Sequence, residues 1–235
     1  MQDTSGITNY DALMLADHEV ETKVNIDGVD YGRDVLISVS TSLSLFSGSA
    51  PKIGCCPSGE IELKMIMPNV EFSRMAEIIP YVRLKGTDGT VSGWLQMGVY
   101  YIDTRKEIIP EAGDGILELH GYDAMLKTDA YYPNDQATYP KSDIYVVEKI
   151  AETIGVNVDA RTTEIMTEAY SINLPMSYTM REVLGYIASM YAGNFIITPA
   201  GELRLVELAG IGNETRYLID ESGDAIVFGE DRILT

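Results

Sequence analysis

Hydrophobic and polar residues alternate along the first half of the chain, with the two-residue period of half-buried β-strands. The alternation is clearest at 20–26 and 61–67. The pair Asp27-Gly28 separates the first of these segments from 29–31, and such a pair between strands predicts a tight hairpin. Further elements are predicted as a short helix at 9–16 and strands at 35–45, 81–84, 94–102 and 116–122. This spacing favours an antiparallel sandwich or barrel.

The apolar pattern changes to a helical period after residue 141. Ser142 or Asp143 can cap a helix with one apolar stripe, and Gly155 stands where such a helix would end. Thr179 and Glu182 have the spacing of a capping box, followed by a second apolar stripe. Two helices are therefore predicted in the second half of the chain.

The second helix is expected to stop at Gly193 and to lead into a β-hairpin of 194–198 and 202–208. Near the end of the sequence, 225–228 has the composition of another strand. The few residues after it are too short to supply a convincing partner strand, which suggests truncation.

These patterns divide the chain into four segments. Residues 1–130 are predicted to form a β-barrel-like domain, and 131–140, which carries two prolines and no periodicity, a linker. Residues 141–208 are predicted to form a small α+β domain, and 209–235 the start of a further β segment. The predicted fold class is α+β, mainly β.

The net charge and the apolar segments of the chain indicate which partners are not expected. Its 235 residues include 36 acidic and 17 basic side chains, which give a formal net charge of −19. Because an acidic surface repels phosphate groups, specific DNA readout is not expected. The sequence has no segment near the ~20 consecutive apolar residues of a membrane span and no signal-peptide pattern at its start. We therefore expect no membrane partner.

Candidate chemistry is sparse. The sequence motifs of metalloproteases, P-loops, dinucleotide sites and nucleophile elbows are absent. Cys55 and Cys56 are adjacent, which disfavours a disulfide between them, and a zinc site would need both to converge with His18 and His120. The sequence predicts buried or loop thiols, no cofactor, and no catalytic, cofactor-binding or metal-binding residues.

Three weaker possibilities remain. His120 shares a strand face with Glu118, which favours a solvent-facing or interface histidine over an acid-base role. Trp94 and the tyrosine pairs at 100–101 and 131–132 could form a ligand-stacking platform, although such residues more often fill cores or subunit interfaces. A carboxylate pair for glycoside hydrolysis leaves no local signature, so that alternative stays open.

Several segments together resemble a known family. They are 98–104 (GVYYIDT), 117–126 (LELHGYDAML) and 180–188 (MREVLGYIA), the last followed by Gly193-Asn194 and a hairpin. In order and spacing they resemble tail hub proteins of phages and prophages of Gram-positive bacteria, in which a strand runs into a YDA(M/L)L helix start. The resemblance covers most of residues 98–208, and none of its motifs is catalytic.

The resemblance implies β-barrel domains with a small α/β element, related to the hubs of contractile tails and to the base of type VI secretion spikes. It also implies a non-enzymatic protein of the virion tail, made in the bacterial cytoplasm and assembled with other tail proteins. The complete protein would be a trimer around an axial channel. DNA would be only a passing cargo, so Asp and Glu should face the axis. The alternatives are a cell-surface or carbohydrate-binding β protein and a carboxylate-dependent hydrolase.

Overall fold

The structure is a computed structural model that describes residues 4, 6–48, 50–109, 114–134, 136–166 and 170–208, and the backbone of 227–228 and 231–232. Its larger part is a β-sheet with one short helix. The elements of this part are α1 (Tyr10–Met14), β1 (His18–Ile26), β2 (Val29–Tyr31), β3 (Leu36–Ser42), β4 (Glu60–Ile66), β5 (Glu77–Gly86), β6 (Leu95–Gln96), β7 (Tyr100–Ile108) and β8 (Ile116–Asp123).

The strands follow the order β2-β1-β5-β7-β8-β4-β3, with β6 paired to β5. Every pairing in this sheet is antiparallel. The prediction of a mainly-β fold is therefore confirmed. Within the described part of the chain, β2 and β3 are the two ends of the sheet and no pairing joins them, so the sheet is not a closed barrel.

The hairpin predicted at Asp27-Gly28 is confirmed, because β1 and β2 pair on either side of these residues. Both have positive φ angles, 48° and 86°, as a type I′ turn requires. The short helix predicted near the start is also confirmed. Leu13 of α1 is buried and lies against Gly86 of β5.

The single strand predicted at 94–102 is wrong, because β6 and β7 are separate strands. Gly98, between them, has a φ of 151°, and a Cβ atom there would overlap the ring of Tyr100. Glycine therefore permits a break that the alternation of apolar residues does not reveal. In contrast, β5 is longer than predicted and passes through Pro80.

One face of the sheet is covered by buried side chains, which alternate with exposed residues along most of β4 and with half-buried ones along β8. We call this cluster the sheet core. Its buried members are Val24, Ile26, Ile61, Leu63, Met65, Phe72, Ala76, Ile78, Tyr100, Ile102, Leu117 and Leu119.

The second part of the molecule combines short helices with a hairpin. Its elements are a 3-10 helix (Ala124–Asp129), β9 (Lys141–Ser142), α2 (Asp143–Ile154), α3 (Ala160–Ile165), β10 (Ser171–Ile172), α4 (Met180–Met190), β11 (Gly193–Ile197) and β12 (Leu203–Glu207). The predicted hairpin is confirmed by the antiparallel pairing of β11 with β12. The two predicted helices are confirmed as α2 and α4.

The predicted starts of both helices are correct. Ser142 caps α2, which ends at Gly155 in the left-handed conformation. Thr179 and Glu182 form the predicted capping box of α4. The predicted stop at Gly193 is wrong: α4 ends at Met190, three residues earlier, and Gly193 is the first residue of β11.

A second hydrophobic cluster, here called the mixed core, lies beneath these elements. Besides residues from α2, α4, β11 and β12, it contains Cys56, Ala124, Met125 and Tyr132. The chain before residue 141 therefore contributes side chains to both cores. The division into domains at 130 and 141 stays a prediction.

The strand predicted at 225–228 is described only at Val227–Phe228, and 225–226 lie outside the described residues. This short strand, β13, pairs with β14 (Asp231–Arg232). The expectation that no partner is available is therefore wrong, because two residues of the tail suffice for a minimal antiparallel pair.

Candidate functional site

The sheet core and the mixed core meet at a junction of polar groups, and Asp123 lies at its centre. This residue ends β8 and caps the 3-10 helix. Its Oδ1 accepts a hydrogen bond from the backbone N–H of Met125 at 2.9 Å, and its Oδ2 accepts one from Gly59 at 2.6 Å. Asp123 is the aspartate of the YDA(M/L)L pattern, which thus fixes the passage from strand to helix.

Arg181, in the first turn of α4, reaches the same junction. Its guanidinium donates to the carbonyl oxygen of Met125 at 2.8 Å and to Ser58 Oγ at 3.2 Å. It also donates to the Cys56 carbonyl and pairs with the Asp129 carboxylate. One side chain therefore ties α4 to the 3-10 helix and to the loop before β4.

Asn194 is the third member of the junction and is fully buried. Its Nδ2 donates to the carbonyl oxygens of Leu45 at 2.7 Å and Lys52 at 2.8 Å, and its Oδ1 accepts from the N–H of Cys55 at 2.8 Å. The amide group thus holds a glycine-rich and serine-rich loop against β11. Asn194 belongs to the segments that resemble tail hub proteins, but its sequence neighbours do not indicate this role.

The carboxyl group of Asp123 has a raised pKa. Burial raises the pKa of its carboxyl group to about 7, although its two backbone hydrogen bonds and the charge of Arg181 act to lower it. Tyr100 lies close by, and burial together with the Asp123 charge raises the pKa of its phenol to about 12. The junction therefore contains one carboxyl group that can change charge near neutral pH.

α4 approaches the loop before β4 without intervening side chains. A Cβ atom at Gly185 would lie 2.9 Å from the carbonyl oxygen of Gly54, and one at Gly54 would overlap Ser189. Glycine at both positions permits this close contact between backbones.

The two cysteines are free and buried, as predicted. Burial raises the pKa of the Cys56 thiol to about 12. Because the thiolate is the reactive form, this thiol is a poor nucleophile and a poor metal ligand at neutral pH. Its role is packing in the mixed core.

His120 lies on the outward face of β8, as predicted. Its Nε2 is 3.9 Å from a carboxylate oxygen of Glu60, and its ring packs edge-on against Tyr122. No group of three or more His, Cys, Asp or Glu that could hold a metal ion occurs among the described residues.

The aromatic residues do not form one platform. Tyr100 is buried in the sheet core and Tyr132 in the mixed core, whereas Tyr131 is exposed. Trp94 lies on the outer surface, with Arg83 4.5 Å and Lys23 5.0 Å from its ring centre. The expectation that such residues fill cores is met by Tyr100 and Tyr132.

A carboxylate pair in a cleft also finds no support. Among the Asp and Glu residues that the structure describes, a raised pKa is found at Asp123. The cavity beside Asp123 has a volume of about 10 Å³. That volume is close to the space of a single water molecule. The two oxygens of Asp123 are already occupied by backbone donors.

A groove of about 830 Å³ opens on the surface between β1, β2, β3 and Trp94. β2 covers the edge of β1 only at Val24, Asn25 and Ile26. Residues 18–23 of β1 pair with β5 on one side and with no described strand on the other. β3 likewise has only β4 beside it. The groove is thus bounded by two free strand edges.

The two edges differ in charge. Glu19, Glu21 and Lys23 lie on β1. β3 contains no charged residue, and none occurs anywhere from 35 to 51. Exposed edges are usually protected from pairing by charges, prolines or bulges, and here one bulge near Leu36 is the only such device on β3 in the described structure.

No protein-family model matches the chain, and no curated protein matches it in sequence. None of the described helices combines the length and apolar character needed to cross a membrane.

Solved structures do show a likeness. The 43 kDa tail protein of prophage MuSo2 from Shewanella oneidensis matches with a TM-score of 0.58 and 14% sequence identity, over 82% of this chain and 57% of that one. A tail protein from Neisseria meningitidis MC58 matches with a TM-score of 0.49 and 13% identity, over 88% of this chain and 53% of that one. The chain spans a little over half the length of these proteins. It therefore shares its fold with a prophage tail protein.

Proposed function

We propose that this chain is a structural component of a phage or prophage tail, serving as a hub or tail-tip module around the axial channel. The observation that carries the proposal is the likeness to the MuSo2 tail protein over 82% of the chain. A match over 82% of the chain must include residues of both parts of the molecule, the sheet and the smaller helical part. The resemblance in residues 98–208 to tail hub proteins is a separate line of support.

In this role the chain assembles with copies of itself, as a trimer in the complete protein, and with other tail proteins in the virion. It is made in the bacterial cytoplasm. DNA passes through the channel as cargo, and a net charge of −19 is suited to a lumen that does not hold phosphates.

The proposed role is not enzymatic. Two observations support this. The Asp123 carboxyl group, whose pKa is raised, accepts hydrogen bonds from backbone N–H groups and does not face an open cleft. Burial keeps the Cys56 thiol protonated. The aromatic residues lie in separate places, so the carbohydrate-binding alternative gains no support from them.

The role can be tested on particles from a bacterium that carries the gene. Antibodies raised against the purified chain would be applied to released tails and viewed by electron microscopy, with pre-immune antibodies as the control. We expect labelling at the tail tip. A chain that is absent from purified tails, or that labels the bacterial surface instead, would contradict the proposal.

The symmetry and charge of the channel need a separate measurement. Cryo-electron microscopy of the assembled tail should show a threefold tip with Asp and Glu facing the axis. A tip without threefold symmetry, or a channel lined chiefly by Lys and Arg, would overturn this part of the proposal.

A further inference from the structure

We propose that two free strand edges of the main sheet, that of β3 and that of residues 18–23 of β1, pair with each other between copies of this chain, so that β3 of one copy lies beside residues 18–23 of the next. This names the self-association surface of the proposed tail module and rests on that proposed function. The partner is a second copy, and the contact is backbone hydrogen bonding along two strand edges.

The direction of the strands suits this pairing. Because every neighbouring pair in the order β1-β5-β7-β8-β4-β3 is antiparallel, β1 and β3 run in opposite directions. β3 of a neighbouring copy can therefore extend the sheet beyond β1 in the antiparallel sense that the whole sheet already uses. Within one copy this contact is not made, since the groove of about 830 Å³ separates the edges.

The faces of the two strands also agree. Val20 lies on the same face of β1 as Val24, which is fully buried, yet Val20 is 61% exposed. On β3, Val39 and Thr41 pair with Leu63 and Ile61 of the sheet core and so face inward. Antiparallel pairing between copies sets these inward residues beside Val20 and covers its exposed surface.

Charge favours β3 as the partner of β1. On the outward face of β1, Glu21 is held by Arg83 and Lys23 by Asp30, while Glu19 has no ion pair in the described structure. Outward on β3 are Ser38, Ser40 and Ser42, so no like charges meet.

Pairing of an edge with its own copy is less favourable. If β1 met β1, the β3 edge would remain unpaired, and the register that sets Glu19 against Glu21 would place like charges directly opposite, which is destabilising. If β3 met β3, the β1 edge would remain unpaired. A head-to-tail contact uses both edges at once, and such contacts can close into rings.

The test compares variants of the purified full chain by sedimentation equilibrium over a concentration series. Wild type should associate reversibly. Ser40→Glu places a charge at the middle of β3 and should weaken association about fivefold or more, whereas Ser40→Lys, facing the acidic edge of β1, should preserve or strengthen it. Glu19→Lys is measured alone and combined with Ser40→Glu: alone it should change association little, and combined with Ser40→Glu it should restore association.

Ser177→Glu adds the same charge at an exposed serine of the second part of the molecule and should change nothing. The melting midpoint of each variant checks folding; should Ser40→Glu lower it, Ser42→Glu at the next outward position replaces it. Weakening that depends on the sign of the charge and is rescued by Glu19→Lys supports the pairing.

Three outcomes overturn it. A wild-type chain that stays monomeric throughout the series shows no such contact. Equal weakening by Ser40→Glu and Ser40→Lys, with no effect of Glu19→Lys, indicates that β3 pairs with β3. An effect of Glu19→Lys alone indicates that β1 pairs with β1. If the chain labels tail tips but one of these results is found, the edge pairing fails while the tail role stands.

Discussion

The junction and the groove place the same kinds of backbone group in opposite situations. At the junction, Asn194, Asp123 and Arg181 give hydrogen-bond partners to backbone groups of the loop between β3 and β4 and of the 3-10 helix. At the groove, two strand edges lack any described neighbour. The first arrangement joins the two cores through buried hydrogen bonds, whereas the second leaves hydrogen-bonding capacity for another chain.

This contrast predicts which substitutions should lower the stability of the fold and which should alter association. Buried polar groups cost free energy when they lose their partners, because water cannot replace them. Edge groups at the groove are solvated and lose little when their surroundings change. Substitutions at the junction should therefore affect folding, and substitutions at the groove should affect association.

The largest effect should come from the charge of Asp123. Its pKa is about 7 in the folded chain, against an ordinary 3.8. Between these values the folded chain keeps a proton that the unfolded chain has released. Stability should therefore fall as pH rises from about 4 to about 7, by up to about 4 kcal/mol, and stay level above that.

Urea unfolding of wild type and Asp123→Asn across this pH range would measure the difference in slope. Asp88→Asn is the control, because hydrogen bonds from Thr90 lower the pKa of that exposed carboxyl group. The contribution of Asp88 to stability therefore rises with pH, and it does so at lower pH than the range tested for Asp123. Parallel curves for wild type and Asp123→Asn would show that Asp123 does not titrate in this range.

Asn194→Ala should lower the free energy of unfolding by about 3 kcal/mol, because it leaves one backbone N–H and two carbonyl oxygens without their hydrogen-bond partner. Asn157→Ala removes the same side chain from an exposed position and should cost under about 0.5 kcal/mol. Chemical denaturation of both variants makes the comparison. A loss no larger than that of Asn157→Ala would mean that the loop is not held by Asn194.

Gly185→Ala tests the close approach of α4 to the loop. In an exposed helix this change would add about 1 kcal/mol of stability. Here the new Cβ would lie 2.9 Å from the Gly54 carbonyl oxygen, so we expect a loss of about 2 kcal/mol instead. Gly6→Ala, with no neighbouring atom within 4 Å, is the control. The sign of the change in melting midpoint decides between the two expectations.

The smallest effect should be at the groove. Val20→Ala should change the free energy of unfolding by less than about 0.5 kcal/mol, whereas Val24→Ala, on the same face of the same strand but fully buried, should cost about 2 kcal/mol. Denaturation at low protein concentration keeps association out of the measurement. Equal losses would mean that the groove is closed in solution.

Local signals in the sequence predicted the elements that depend on neighbouring residues. The turn at Asp27-Gly28 and the capping box of Thr179 and Glu182 were readable because a few adjacent residues determine them. Pro80 shows the limit: proline rarely lies inside a strand, yet β5 continues through it because β1 supports the strand along its whole length.

The junction itself could not be predicted in this way. Asn194 and Cys55 are 139 positions apart, and Arg181 and Cys56 are 125 apart. An asparagine or arginine looks the same in sequence whether it is buried or solvated. Its partners are chosen by the fold of the whole chain, so only the three-dimensional arrangement reveals the role.

The long separation between Asn194 and Cys55 also has a consequence during synthesis. A ribosome adds about 5 to 20 residues per second, so roughly 7 to 30 s pass between the emergence of Cys55 and that of the asparagine that holds its N–H. Throughout that interval the thiols of Cys55 and Cys56 lack α4 and β11, two of the elements that later enclose them. The newborn chain thus passes through a period in which oxidation or a chaperone can reach two thiols that are buried in the finished fold.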